Sequence, residues 1–203
     1  MGARGRPRGF DRAAALEKAM EVFWARGYAG ASMAELTEAM GINPPSLYAA
    51  FGSKEELFKE AVGLYAATDD GCTLTMLEGD LSTRDSIAAM LMASARSCMR
   101  PDKPSGCFLM LGATNGGPDT DAAQAYLCDR RRDMAVRIRA RLARGIADGE
   151  LPPGLDLDRV TAYFATVIKG MSIEARDGAD METLAGVARS AMLGWDAITS
   201  TQA

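Results

Sequence analysis

The stretch that decides the architecture is Ser32-Met33-Ala34-Glu35-Leu36-Thr37-Glu38-Ala39-Met40-Gly41-Ile42-Asn43-Pro44-Pro45-Ser46-Leu47-Tyr48-Ala49-Ala50-Phe51. Ser32 with Glu35 three residues on has the form of a capping box, in which each side chain satisfies a backbone N–H left open at a helix start. A helix over 33–40 follows, and Gly41 supplies the left-handed residue that ends it. Ile42 is the apolar residue of the turn. A second short helix starts within Asn43-Pro44-Pro45 and ends at Phe51-Gly52. Two starts are open: Asn43 as the cap with Pro44 first in the helix, or Pro44 as the cap because Pro45 steers it away from helical geometry. Leu36, Ile42 and Leu47 brace the pair against the body. This is the anatomy of a helix-turn-helix, whose second helix presents its N-terminal residues to base edges in a major groove.

Outward from this pair the pattern is helical throughout. Asp11 caps a first helix reaching Arg26, with Leu16, Met20 and Phe23 on one face and Gly27 ending it. Ser53 and Glu56 form a second capping box, opening a longer helix through Leu57, Phe58, Val62 and Tyr65. Further helices are expected over 83–99, 106–113, 120–147, 156–176 and 180–199, with a Pro-rich break at 101–104. No stretch alternates polar and β-branched residues, so no strand is expected. The expectation is an all-α chain of about nine helices. Its parts are a flexible basic arm at 1–10, a three-helix helix-turn-helix domain at 11–54, and a larger helical domain at 55–203.

Composition narrows the function. Of 203 residues, 48% are hydrophobic and 25% charged, the balance of an ordinary soluble protein. No apolar run nears the ~20 residues that span a bilayer, and the acids Glu17 and Glu21 argue against a transit peptide. A cytoplasmic protein without a membrane partner is expected. The chain has no histidine, which removes the commonest general base and zinc ligand. No enzyme, no cofactor and no metal are expected. The net charge of −4 conceals a division. Residues 1–54 hold seven basic and five acidic side chains, a net of +2, and the remainder holds sixteen against twenty-two, a net of −6. A basic end on an acidic body suits a DNA contact made by that end alone.

The series Phe23, Gly27-Tyr28, Ser32-Met33, Leu36, Gly41-Ile42, Ser46-Leu47-Tyr48, Phe51, Ser53-Lys54 and Leu57 resembles the TetR (tetracycline repressor) family over roughly residues 10–60. The resemblance implies a DNA-binding regulator, usually a repressor, that acts as a homodimer on a double-stranded operator. Ser32 and Lys54, at helix starts, then suit phosphate oxygens. Tyr48 takes the place of a phosphate- and thymine-contacting tyrosine. Pro44, Pro45, Ser46, Ala49 and Ala50 lie nearest base edges. The two alanines depart from the larger side chains of other members and shift weight to thymine methyls and DNA shape. Arg4, Arg6 and Arg8 form an arm for phosphates or a narrow minor groove.

In the remainder, Val160, Phe164, Val167 and Met171 step at helical spacing, as do Leu184, Val187 (or Ala188), Ala191 and Trp195. Both stripes suit a bundle with a second copy of the chain, and packing within one chain is the competing reading. Residues 72–128 are rich in sulfur and aromatics. By resemblance they enclose a cavity for a small effector, with Cys72, Met76, Met90, Cys107, Phe108, Met110 and Tyr126 as candidates for its wall. Most such residues are also ordinary core material. The four cysteines have no CxxC pair, so reduced thiols are expected. Cys98 and Cys107 bracket the Pro-rich break and offer either a Cu(I) site or a thiol pair that senses electrophiles or oxidants. The 106–115 stretch also resembles a TetR subgroup with a copper-responsive member. Arg130, Arg137, Arg141 and Arg144 read as one solvated stripe, whereas Arg131 falls on the apolar face. It is either an anion partner in the cavity or a side chain that snorkels outward. The rival reading is a helical enzyme or small-molecule-binding module that binds no DNA.

Overall fold

The computed structural model describes residues 10–67, 71–114, 117 and 120–200, with backbone alone at 71 and 72. Among these residues eleven helices and no strands are found. They are α1 (Arg12–Gly30), α2 (Met33–Met40), α3 (Pro44–Phe51), α4 (Lys54–Tyr65), α5 (Gly71–Thr75), α6 (Thr83–Cys98), α7 (Phe108–Leu111), α8 (Asp121–Ala147), α9 (Leu157–Arg176), α10 (Met181–Leu193) and α11 (Trp195–Thr199).

The expected count of about nine is low by two. The five-residue α5 is too short to show a periodicity, and the last long helix breaks at Gly194 into α10 and α11. The helix expected over 106–113 shrinks to α7, because Gly106 takes φ +82° and Cys107 is extended. Gly27 does interrupt the first helix, at φ 71° and ψ 168°, and a further turn follows it to Gly30.

Side chains set the starts of the first four helices. Asp11 accepts from the N–H groups of Ala13 and Ala14, and Ser53 accepts from Glu56 N at 3.0 Å. The Ser32–Glu35 capping box is reciprocal. Asn43 Oδ1 accepts from Ser46 N at 2.9 Å, so Asn43 is the cap of α3 and Pro44 its first residue.

Helix α1 packs on α2 and α4 through Phe23, Trp24, Leu36, Leu57 and Phe58, all of them buried. Leu47 and Phe51 turn inward from α3, and Leu16 and Ile42 pack half-buried on the same core. From there a column of edge-to-face rings runs into the body. Phe23 meets Phe58 at 5.1 Å, Phe58 meets Phe108 at 5.6 Å, Phe108 meets Tyr65 at 5.7 Å, and Tyr65 meets Trp24 at 4.9 Å. Each such pair adds about 0.5–1.5 kcal/mol beyond its buried area. The core of the helix-turn-helix end and that of the body are therefore continuous.

In the body, α9 packs against α6, α8 and α10. This corrects the dimer stripes: Val160, Phe164, Met171, Leu184, Ala191 and Trp195 are buried within the single chain. Their spacing reports the monomer's own core, as a helical stripe does wherever a neighbour of the same chain covers it. Val167 is half-buried and Val187 exposed. The arginine stripe is corrected too. Arg141 is buried and fastens α8 to the start of α6, donating to Thr83 Oγ1 at 2.6 Å, Leu81 O at 2.6 Å and Ser86 Oγ at 3.2 Å. No helix among the described residues is long and apolar enough to cross a membrane.

Candidate nucleic-acid interface

On α3, i+4 spacing separates two faces. Leu47 and Phe51 point into the core, while Pro44, Pro45, Tyr48 and Ala49 are exposed and Ser46 and Ala50 lie between. Tyr48 is 52% exposed although it stands beside a fully buried leucine. An aromatic ring that packed for stability would not leave half its surface in water. The face opposite the core thus carries small, flat side chains around one projecting phenol, a shape that lets a helix approach base edges closely.

The flanking candidates are placed less simply. Ser32 is exposed at the start of α2, but its hydroxyl accepts from Glu35 N at 3.1 Å and donates to Glu35 Oε2 at 2.9 Å. The Glu35 carboxylate therefore already occupies that helix end. Bonds from the Ser32 backbone N–H, and then from its hydroxyl, hold the carboxyl below the usual glutamate range. Lys54, first residue of α4, lies with Nζ 4.6 Å over the ring of Tyr28. Partial burial lowers its pKa, and the aromatic face steadies the ammonium at the helix start. Arg4, Arg6 and Arg8 lie outside the described residues.

Three positioning residues escape a reading by local pattern. Arg12 grips the carboxylate of Glu60 with both oxygens at 2.7 and 2.8 Å, donates to Ala50 O at 3.2 Å and stacks on Phe51 at 4.3 Å. It fixes the exit of α3 against α1 and α4. Trp24 Nε1 donates to Gly106 O at 2.9 Å, and Tyr28 N donates to Gly112 O at 2.7 Å. Arg176, at the end of α9, donates to Trp24 O at 2.9 Å, Ala25 O at 3.2 Å and Ser105 O at 2.9 Å. These bonds tie the end of α1 to the 105–112 segment and to α9. Their partners are more than 70 residues away in sequence, so no spacing announces them.

The candidates for the effector wall differ in exposure. Met90, Cys107, Phe108 and Met110 are buried, Tyr126 is half-buried beneath Arg130, and Met76 is exposed. The side chain of Cys72 lies outside the described residues. Met110 and Arg131 do share a recess of about 300 Å³ between α7, α8 and α9. Cys98 and Cys107 are both buried, and Gly106 N donates to Cys98 O at 2.9 Å, bringing their segments together. The Tyr65 hydroxyl bonds Cys107 Sγ at 3.3 Å. Among the described residues no three His, Cys, Asp or Glu side chains form a metal-holding group.

Comparison with known proteins agrees with this geometry. Residues 15–61 match the profile of "Bacterial regulatory proteins, tetR family", and residues 83–191 match "Tetracyclin repressor-like, C-terminal domain". The chain is 35% identical over 194 residues to the HTH-type transcriptional repressor ComR of Escherichia coli, covering 95% of this chain and 92% of that protein. It is 32% identical to the HTH-type transcriptional repressor BdcR of the same organism, over 92% and 90% of the two chains. A solved structure of a cysteine-substituted TetR family transcriptional regulator, CifR, complexed with a 26-base-pair operator, superposes with a TM-score of 0.90. That comparison has 43% identity and covers 94% of this chain and all of the other. The relatives are regulators rather than enzymes, and both parts of the chain match. The protein belongs to the TetR family of bacterial transcriptional regulators.

Proposed function

We propose that the protein is a cytoplasmic repressor that holds a double-stranded operator as a homodimer and leaves it when a small effector binds the body. In this reading residues 11–54 bind DNA and residues 55–203 carry dimerisation and effector binding. The observation that carries it is the half-exposed Tyr48 on α3, with Leu47 and Phe51 as anchors behind it. Pro44, Pro45, Ser46, Ala49 and Ala50 supply the close surface toward bases. Lys54 and the arm with Arg4, Arg6 and Arg8 supply phosphate contacts, whereas Ser32 is engaged by its own Glu35.

Symmetry is required because two recognition helices must meet successive major grooves about 34 Å apart. The face offered to the second copy is the outward one of α9 and α10. Tyr163, Val187 and Leu193 are exposed on these helices, and Leu193 is 88% exposed. Release then follows from population shift, since an effector that binds a second arrangement of the dimer better draws molecules away from the DNA-competent one.

A second input is favoured by the position of Cys107. Its thiol bonds Tyr65, its N–H bonds Ser172 Oγ at 2.8 Å, and the adjoining Gly106 carbonyl receives Trp24. Chemistry at the Cys98–Cys107 pair, whether by an electrophile, an oxidant or Cu(I), would act directly on the joint to α1.

The test is a gel shift of the purified chain on the DNA upstream of its own gene, across a salt series. Retention that falls steeply and linearly with the logarithm of salt, and that survives competitor DNA, supports the reading. Equal retention of unrelated DNA would overturn it.

A further inference from the structure

Where α7, the start of α8 and the end of α9 meet, the open recess of about 300 Å³ has an unusual lining. Met110, Leu111 and Ile173 form an apolar wall, Gln124 adds an amide, and Arg131 and Lys169 supply two cations. Among the described residues no carboxylate lines it.

Arg131 differs from the four arginines nearest to it on α8. Arg130, Arg132, Arg137 and Arg139 each have a carboxylate partner, in Asp133, Asp129, Glu78 and Asp158 respectively. Arg131 instead donates Nη1 to Leu109 O at 2.9 Å, and among the described residues no acid pairs with it or with Lys169. A pair of cations with no counter-ion among the described residues, beside apolar surface on a chain of net charge −4, favours an amphipathic anion. The guanidinium fork and the ammonium would share the anionic head, and the wall would take the tail.

The recess also sits where a ligand can be felt by the DNA-binding end. Leu111 borders it, and the next residue, Gly112, gives its carbonyl to the Tyr28 N–H at the end of α1. An occupant that presses on Met110 and Leu111 therefore moves the segment on which α1 rests.

We infer that this recess is the effector site and that its ligand class is a small organic anion, a monocarboxylate with an apolar tail. The inference rests on the reading of the protein as an effector-released DNA-binding regulator. It commits further to Arg131 and Lys169 as the residues that select the charge.

The experiment uses the full chain with octanoate as the probe, set against octanol and octylammonium, in isothermal titration calorimetry. Octanoate should bind at least tenfold more tightly than either control. Arg131→Gln and Lys169→Gln should each weaken octanoate at least tenfold without changing octanol, and Arg131→Lys should restore part of the loss. Lys169→Gln is the cleaner variant, since that side chain is exposed and has no partner to lose among the described residues. Octanoate binding no better than octanol, or surviving both glutamine variants, overturns the inference. Operator binding is followed in parallel by fluorescence anisotropy. If the ligand-free protein holds operator DNA and octanoate fails to bind, this site assignment falls while the regulator reading stands. If octanoate binds as described and no DNA is held, the regulator reading falls. If both bind and octanoate does not displace DNA, the recess is not the effector site.

Discussion

The indole N–H of Trp24 donates to the carbonyl of Gly106 at 2.9 Å, across 82 residues of sequence, with both groups buried. Through this bond the helix that supports the recognition element rests on the loop between α6 and α7. The bond stands among others of the same purpose: Tyr28 to Gly112, and Arg176 to the carbonyls of Trp24 and Ala25.

Replacing Trp24 with Phe keeps a ring in the core and removes the donor. A buried carbonyl left unpaired costs about 1–3 kcal/mol. Denaturant unfolding should show that loss. The effector should also release operator DNA less completely from Trp24→Phe than from the wild type, because the joint is slackened. Equal stability and equal release would show that the bond carries no coupling.

Gly106 itself tolerates no side chain. Its φ is +82°, and an added Cβ would lie 2.6 Å from both the backbone oxygen of Ser172 and Leu111 Cδ1. Leu111 can turn aside, but the carbonyl of α9 cannot easily do so. Overpacking of this kind costs about 1–3 kcal/mol, before the positive φ is counted. Gly106→Ala should lower the melting temperature by about 2–4 °C for each kcal/mol lost, as differential scanning calorimetry would show.

Most of the fold was legible from residues whose meaning is local. Ser32 with Glu35, Gly41 and Ser53 announce helix ends within a few residues, and the structure has each one where its chemistry puts it. Asn43 against Pro44 was a choice between two local rules, and a single hydrogen bond to Ser46 decides it. What local pattern could not tell is which neighbour covers an apolar stripe. Val160, Phe164 and Trp195 have the spacing of an interface with a second copy, yet α6, α8 and α10 of the same chain enclose α9. Arg141 likewise has the spacing of a surface residue, and the distant Thr83, Ser86 and Leu81, with Glu150 at 3.9 Å, make its burial tolerable. Arg12, Trp24 and Arg176 went unread for the same reason.

The start of α2 should weaken in acid. Glu35 has its pKa lowered, first by the Ser32 backbone N–H and then by the Ser32 hydroxyl. A carboxyl depressed on folding stabilises the native state above its unfolded pKa, and that contribution is lost as pH falls through the lower native value. Carbon-detected NMR should therefore show the Glu35 carboxyl titrating below the ordinary glutamate value. Amide exchange at Ser32 and Glu35 should quicken over the same interval. Glu35→Gln should flatten that pH dependence, and a Glu35 titrating at the ordinary glutamate value would contradict the capping account.

Two exposed apolar residues on α10 provide a test of symmetry. Val187→Glu with Leu193→Glu adds charge to the outward face without touching the buried stripe. Sedimentation equilibrium at micromolar concentration should give a dimer for the wild type and a monomer for the double variant, whose helical circular dichroism stays unchanged. Operator affinity should fall with dimerisation. A double variant that remains dimeric would move the interface elsewhere.

The central claim is that the outward face of α3 meets DNA, and the affinity of Tyr48→Ala for the operator tests it most directly. Tyr48 is half-exposed and caps no helix, so its truncation should leave the melting temperature within about 2–4 °C of the wild type. Fluorescence anisotropy at fixed salt should show operator affinity reduced at least tenfold, which corresponds to about 1.4 kcal/mol. A Tyr48→Ala protein that is folded, dimeric and bound to its operator as tightly as the wild type would contradict the account.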